Sequence, residues 1–290
     1  MSRAHVVSPL ELQSLRDLEL VTKATVEGLR QGLHRSPFHG YSAEFSQYRH
    51  YRPGDDLKYI DWKAFGRTDR LYTRQFRETT NLAALFIVDA SRSMDFDGKF
   101  DLARAVAAIL GTLVLDQGDA AGLLAVDARA HYIPPRSGHH HLRVYLSEIS
   151  ALTPTSTDSV SEAVRRAASV MKRRGVVFVI SDLYEDASVA SHVRRLAKMG
   201  HDVVVIHTLS TRELSLDVGG AAEMVDLESG RRLVVEPSVA REKYATAVSE
   251  WMERVQRDLR QSGIEYLRLL TGEPIEPALR RFLMHRRGGA

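Results

Sequence analysis

Leu82-Ala83-Ala84-Leu85-Phe86-Ile87-Val88-Asp89-Ala90-Ser91-Arg92-Ser93 decides how this chain is read. The apolar run from Leu82 to Val88 has the length and composition of a strand buried on both faces, and it stops at Asp89. Oxygen-bearing side chains then follow on alternate residues, at Asp89, Ser91 and Ser93. Open α/β sheets place their ligand sites in loops that leave the carboxyl ends of parallel strands, so the three oxygens are expected to converge. Hard oxygen donors with one formal charge among them suit Mg²⁺, which prefers octahedral geometry and keeps waters or a partner's oxygen in its shell. A strand-to-helix turn with an N-cap would explain the same residues without a metal, because Asp and Ser are common turn residues.

Two later stretches add to the first. Thr155-Ser156-Thr157-Asp158 is polar and turn-like, and it precedes a helical pattern with Val160, Ala163, Val164, Ala167, Ala168 and Met171 on one face. A second apolar run, Val176 to Ile180, ends in Ser181-Asp182 and repeats the arrangement of the first. Asp89, Ser91, Ser93, Thr157 and Asp182 are thereby expected on three loops at one edge of a single sheet.

These motifs, in this order, resemble the metal-ion-dependent adhesion site of von Willebrand factor A-type domains. Asp-x-Ser-x-Ser is matched by Asp89, Ser91 and Ser93, the second-loop threonine by Thr157, and the later aspartate by Asp182. The resemblance runs from about Asn81 to Leu270. It implies that the serine and threonine hydroxyls ligate the cation, that the aspartates act largely through water, and that an acidic residue of a binding partner completes the shell.

The chain has 290 residues, enough to bury a sizeable core; 44% are hydrophobic and 27% charged, ordinary values for a soluble globular protein. Cysteine is absent, which excludes disulfides, thiolate metal sites and a cysteine nucleophile, and agrees with a reducing compartment. No apolar run reaches the roughly 18 residues of a membrane span, and the first residues lack the basic-then-apolar order of a signal peptide. A cytoplasmic location is expected. The formal net charge of +3 is too small to call for a nucleic-acid partner, despite a pI near 9.1. Lys172-Arg173-Arg174 before Gly175 reads as a solvated helix end.

Residues 1–34 carry an amphipathic helical segment with Leu15, Leu18, Val26, Leu29 and Leu33 as its stripe. Residues 35–80 have a different texture, rich in aromatics and punctuated by Gly40, Pro53, Gly54 and Gly66; Leu71 to Phe76 alternates as a half-buried strand does. This small β-rich segment carries a second resemblance. Tyr51-Arg52-Pro53-Gly54-Asp55-Asp56, Ile60-Asp61-Trp62 and Leu71 to Glu78 resemble the signature of domain-of-unknown-function family 58. That family sets this block before a von Willebrand A-like domain and is encoded beside AAA+ ATPases of the MoxR type. Taken singly, Asp55, Asp56 and Asp61 read as turn caps and Trp62 as core.

Beyond Asp89 the pattern alternates as a doubly wound, mostly parallel α/β sheet does. Helices are expected at Phe100 to Leu115, Asp186 to Met199 and Val239 to Gln261, the last burying Tyr244, Val248, Met252, Val255 and Leu259. Strands are expected at Ala121 to Val126, Ala130 to Ile133, Val203 to Ile206 and Tyr266 to Leu270, with a hairpin at Glu223 to Val235. Residues 81–270 form the von Willebrand A-like domain in this reading, and 271–290 a C-terminal helix or tail, Arg-rich and frayed at its end. His139-His140-His141 point in different directions on a helix and suit a solvent-facing start better than one metal.

Other chemistries fit less well. A phosphotransferase of the haloacid dehalogenase type would need a second aspartate two residues after Asp89, where Ser91 stands. An EF-hand loop from Ser93 would need a bidentate glutamate at Arg104. Neither the Gly-x-x-x-x-Gly-Lys-Ser/Thr loop nor Gly-x-Ser-x-Gly occurs. Asp95 and Asp97 read as loop terminators. The expected function is therefore non-enzymatic: a binding module that uses Mg²⁺, or Mn²⁺ or Ca²⁺, to capture an Asp or Glu on another protein. The resemblance adds the expectation of an adaptor working with a MoxR-type ATPase. A metal-dependent phosphoesterase on the same loops is the alternative.

Overall fold

A computed structural model describes residues 14–32, 43–52, 60–78, 82–127, 129–155, 160–184, 186–215, 222–227, 230–235 and 237–288. It divides into two compact units, residues 39–82 and residues 1–38 together with 83–290.

The smaller unit pairs β1 (Ala43–His50) antiparallel with β2 (Tyr72–Glu78), and among its described residues carries a short helix, α2 (Trp62–Thr68). Asp61 caps that helix, as turn chemistry predicts: one carboxylate oxygen accepts from the Ala64 amide at 2.9 Å and the other from the Tyr48 hydroxyl at 2.9 Å. Trp62 departs from its expected core position. It is 61% exposed and packs edge-on against Phe65, because the first residue of so short a helix has little neighbouring surface to bury against. Asp55 and Asp56 lie outside the described residues.

The larger unit is an α/β fold around a six-stranded, mostly parallel sheet. Its strands are β3 (Ala83–Val88), β4 (Ala120–Val126), β5 (Ala130–Arg136), β6 (Val176–Ser181), β7 (Asp202–Leu209) and β10 (Glu265–Leu270), in the order β10-β7-β6-β3-β4-β5. A separate hairpin joins β8 (Ala222–Val225) to β9 (Arg232–Val235). The sheet is parallel except for β5, which runs antiparallel to β4. β5 continues past its expected end at Ile133 through Pro134 and Pro135 to Arg136; it is an edge strand, where prolines cost no ladder hydrogen bond on the open side.

Central strands β3 and β6 bury both faces, which is why they read as unbroken apolar runs rather than alternating ones. On one face Phe86 stacks on Phe178 with ring centroids 4.7 Å apart, and Tyr145 meets Phe86 edge-on. Tyr145 belongs to α4 (His139–Ala151), and its buried hydroxyl donates to the Ala107 carbonyl in α3 (Lys99–Asp116) at 2.8 Å. Any side chain larger than hydrogen at Gly111 would strike that ring. Helix α1 (Leu15–Gly32) lies over α3 and α4 with Leu18, Val21, Val26 and Leu29 buried. On the opposite face Leu85, Ile87, Val177, Val179 and Val205 pack against α5 (Val160–Val170), α6 (Asp186–Lys198) and the end of α8 (Pro237–Gln261).

Along α8 only Leu259 of the expected stripe is fully buried; Tyr244, Val248, Met252 and Val255 are half-buried, as is Trp251. The Arg-rich carboxyl-terminal stretch is helical as far as Gly288, and the end expected to fray, Gly289-Ala290, lies outside the described residues. This helix, α9 (Ile275–Gly288), buries Leu279, Phe282 and Leu283, and Arg280 donates to the Gly28 carbonyl of α1 at 2.7 Å. Its arginines hide that apolar stripe from a compositional reading. His139 and His140 are exposed at the start of α4, whereas His141 turns inward and donates to the Ala121 carbonyl at 2.7 Å. Among the described residues no helix is long and apolar enough to cross a membrane.

Candidate metal centre at the carboxyl edge of the sheet

Strand order places a switch point at the ends of β3 and β6. From β3 the chain crosses through α3 to β4 on one side, and β6 then begins the run β7, β10 on the other, so connections diverge between β3 and β6. A crevice at such a switch point is where open α/β sheets bind ligands. Asp89 follows β3 and Asp182 follows β6, and the ladder extends to them, the Asp89 amide donating to the Ile180 carbonyl at 3.0 Å.

Both aspartates are buried. The Asp89 carboxylate is held at each oxygen, accepting from the Ser91 amide at 3.0 Å and from the Ser181 hydroxyl at 2.5 Å. Burial, and then the neighbouring charge of Asp182, raise its pKa from 3.8 to about 7 against the lowering effect of those donors. A short 3-10 turn at Arg92–Met94 brings the Ser91 and Ser93 hydroxyls to 3.0 Å from one another. The buried Met94 side chain anchors that turn beneath.

Asp182 is fixed from three directions. Its Oδ1 accepts from the Tyr184 amide at 3.3 Å, its Oδ2 from the Lys99 ammonium at 2.8 Å, and its backbone carbonyl from His207 Nε2 at 2.9 Å. His207 Nδ1 lies 2.7 Å from the Tyr266 hydroxyl, from which the neutral ring, with Nε2 donating, accepts. Burial agrees, lowering its pKa to about 4. Lys99, in the first turn of α3, also meets Glu213 Oε1 at 2.6 Å. Glu213 sits on α7 (Thr211–Ser215); burial lifts its pKa even though Lys99 lowers it.

The loop after Ser93 is closed by Asp97, whose φ of 48° is left-handed. Its carboxylate accepts from the Ser210 hydroxyl at 2.5 Å and from the Thr271 hydroxyl at 3.4 Å, so it terminates the loop as expected and also ties it to the ends of β7 and β10.

The structure thus gathers four of the five expected ligands, Asp89, Ser91, Ser93 and Asp182, at the ends of two neighbouring strands; Thr157 lies outside the described residues. Two mutually repelling carboxylates beside two converging hydroxyls suit a hard divalent cation. Among the described residues no group of three or more His, Cys, Asp or Glu is placed to hold a metal, so a cation here depends on the hydroxyls. Sequence reasoning missed Ser181, Lys99, Glu213 and His207. Lys99 carried one legible signal: it opens an apolar helix beside Phe100 and Leu102, yet nothing in the sequence names its partners 83 and 114 residues away.

The family model described as "Protein of unknown function DUF58" matches residues 47–254. Across an alignment of 300 positions, covering 100% of this chain and 94% of theirs, the chain is 30% identical to the uncharacterized proteins Mb1516 of Mycobacterium bovis and Rv1480 of Mycobacterium tuberculosis. It is 26% identical to the uncharacterized protein YeaD of Bacillus subtilis over 52% of this chain and 38% of that one. Among solved structures, the conserved hypothetical protein BatB from Bacteroides thetaiotaomicron overlays 71% of this chain and 99% of its own at 16% identity and a TM-score of 0.46. By the extent of the family match and the full-length similarity of the mycobacterial proteins, this chain belongs to the DUF58 family.

Proposed function

We propose that this chain is a metal-dependent protein–protein interaction module with a von Willebrand A-like sheet, and that Asp89, Ser91, Ser93, Thr157 and Asp182 form its cation site. The observation that carries the reading is the pair of strand-terminal carboxylates at the switch point with the Ser91 and Ser93 hydroxyls 3.0 Å apart beside them. Mg²⁺, or Mn²⁺ or Ca²⁺ in its place, would supply a charged centre with an exchangeable position for a partner's carboxylate. The chain's own residues do the positioning. Ser181 and the Ser91 amide orient the Asp89 carboxylate, the 3-10 turn aims both serines, and His207 fixes the backbone at Asp182. The partner presents an Asp or Glu, and the family resemblance points to a cytoplasmic adaptor acting with a MoxR-type AAA+ ATPase on a client assembly.

Asp89→Ala is expected to abolish both the rise in melting temperature with Mg²⁺ and the capture of a co-expressed MoxR-type ATPase, while the fold persists in chelator. Capture that continues in excess chelator overturns the reading. A panel of generic phosphoesters with Mg²⁺ or Mn²⁺ separates the phosphoesterase alternative, which predicts turnover that Asp89→Asn removes.

A further inference from the structure

Full burial of a lysine is rare unless its charge is paired. Lys99 is 0% exposed, and its ammonium lies 2.8 Å from Asp182, 2.6 Å from Glu213 and 4.8 Å from the centre of the Tyr184 ring. One positive group is therefore shared by the carboxylates of Asp182 and Glu213, and Asp182 has the Asp89 carboxylate as a further charged neighbour; with all three ionised the set carries two net negative charges, the complement of one divalent cation. Asp182 is shared: the oxygen that meets Lys99 belongs to the same carboxylate assigned to the cation site.

We propose that Lys99 is a resident competitor for the divalent cation, an internal counter-charge that makes loading weak and reversible, and that Glu213 sets the strength of that competition from α7. The inference rests on the cation-site reading of Asp89 and Asp182. Lys99 draws on the charge of Asp182 that the divalent cation also needs, so removing the ammonium strengthens cation binding. Removing Glu213 releases the Lys99 charge wholly onto Asp182 and weakens it. Reversible loading suits a site whose occupancy has to follow the arrival of a partner's carboxylate.

The test is calorimetric titration of the full chain with MgCl₂ and with MnCl₂ at pH 8, on wild type, Lys99→Met, Glu213→Gln and the double variant, each checked for its fold by circular dichroism in chelator. Lys99→Met should bind at least about tenfold tighter and Glu213→Gln at least about tenfold weaker, on the scale of charge–charge interactions in partly buried sites. The double variant restores the original charge sum and should return to within a few-fold of wild type. If wild type binds cation but neither single variant shifts, or both shift the same way, the competitor role is overturned and the cation site stands. Binding by Lys99→Met alone would mean that Lys99 replaces the cation outright and excludes loading, which overturns the reversible-loading role together with the proposed function. No binding by any of the four removes both. Should Lys99→Met not fold, the decision passes to the other pair: Glu213→Gln weaker than wild type, and the double variant tighter than Glu213→Gln, sustain the proposal, and equal affinities overturn it.

Discussion

Three buried aspartates end parallel strands of the same sheet, yet the one after β4 lives a different life from those after β3 and β6. Asp127 is surrounded by its own donors. Its Oδ1 accepts from the Arg129 amide at 2.9 Å and meets His131 Nε2 at 3.0 Å, while its Oδ2 accepts from the Thr153 amide and hydroxyl, both at 3.3 Å. Burial would raise the Asp127 carboxyl, but the backbone donors at Arg129 and Thr153 and the His131 ring together hold it below the usual range. Asp89 has fewer donors and a second carboxylate for a neighbour, and it is pushed the other way. An aspartate at a strand end is thus a structural clasp where the chain supplies enough donors and a poised charge where it does not.

Neutralising each aspartate in chelator at pH 8 separates the clasp from the poised charge most strongly. Asp89 has a folded pKa above its unfolded one, so its stabilising share is complete below about pH 4 and is lost as pH rises toward 7. Asp89→Asn should therefore stabilise the cation-free protein at pH 8 by up to about 4 kcal/mol, at about 1.4 kcal/mol per pKa unit. It should also flatten the fall in stability between pH 4 and 7; urea melts across that range are the measurement. Asp127 has the opposite linkage, present above the unfolded pKa near 4 and lost as acid protonates the folded group. Asp127→Asn should destabilise by about 2 kcal/mol, as losing charge-assisted hydrogen bonds does. Equal signs for the two variants would dissolve the distinction. Thr153→Val should cost least, about 1 kcal/mol for one hydroxyl hydrogen bond, and its effect should vanish in the Asp127→Asn background if the bond to that carboxylate is its origin.

What the chain disclosed beforehand follows the same physics. Strands β3 and β6 were legible because burial on both faces writes itself as an unbroken apolar run, and Asp89 and Asp182 because each stops such a run abruptly. The serine pair was legible from its spacing. Lys99 and Glu213 were not, since a buried ion pair between distant helices leaves the same letters as two solvated charges. The buried stripe of α9 was obscured by the arginines around Leu279, Phe282 and Leu283, and the exposure of Trp62 by the general tendency of aromatics to be buried. Prolines hid the last residues of β5, because their cost depends on edge position, which is a property of the finished sheet.

Asp97 joins three loops of the rim. A single side chain accepts hydrogen bonds from the loops that follow β7 and β10 while its own backbone closes the loop that follows β3. Those three loops are tied together at one carboxylate, and α7, which opens directly after Ser210, is tied in turn to α8, the Tyr244 hydroxyl donating to the Glu213 carbonyl at 2.7 Å. The long outer helix is thus joined to the rim that holds the two serines by side-chain hydrogen bonds at Tyr244 and Asp97.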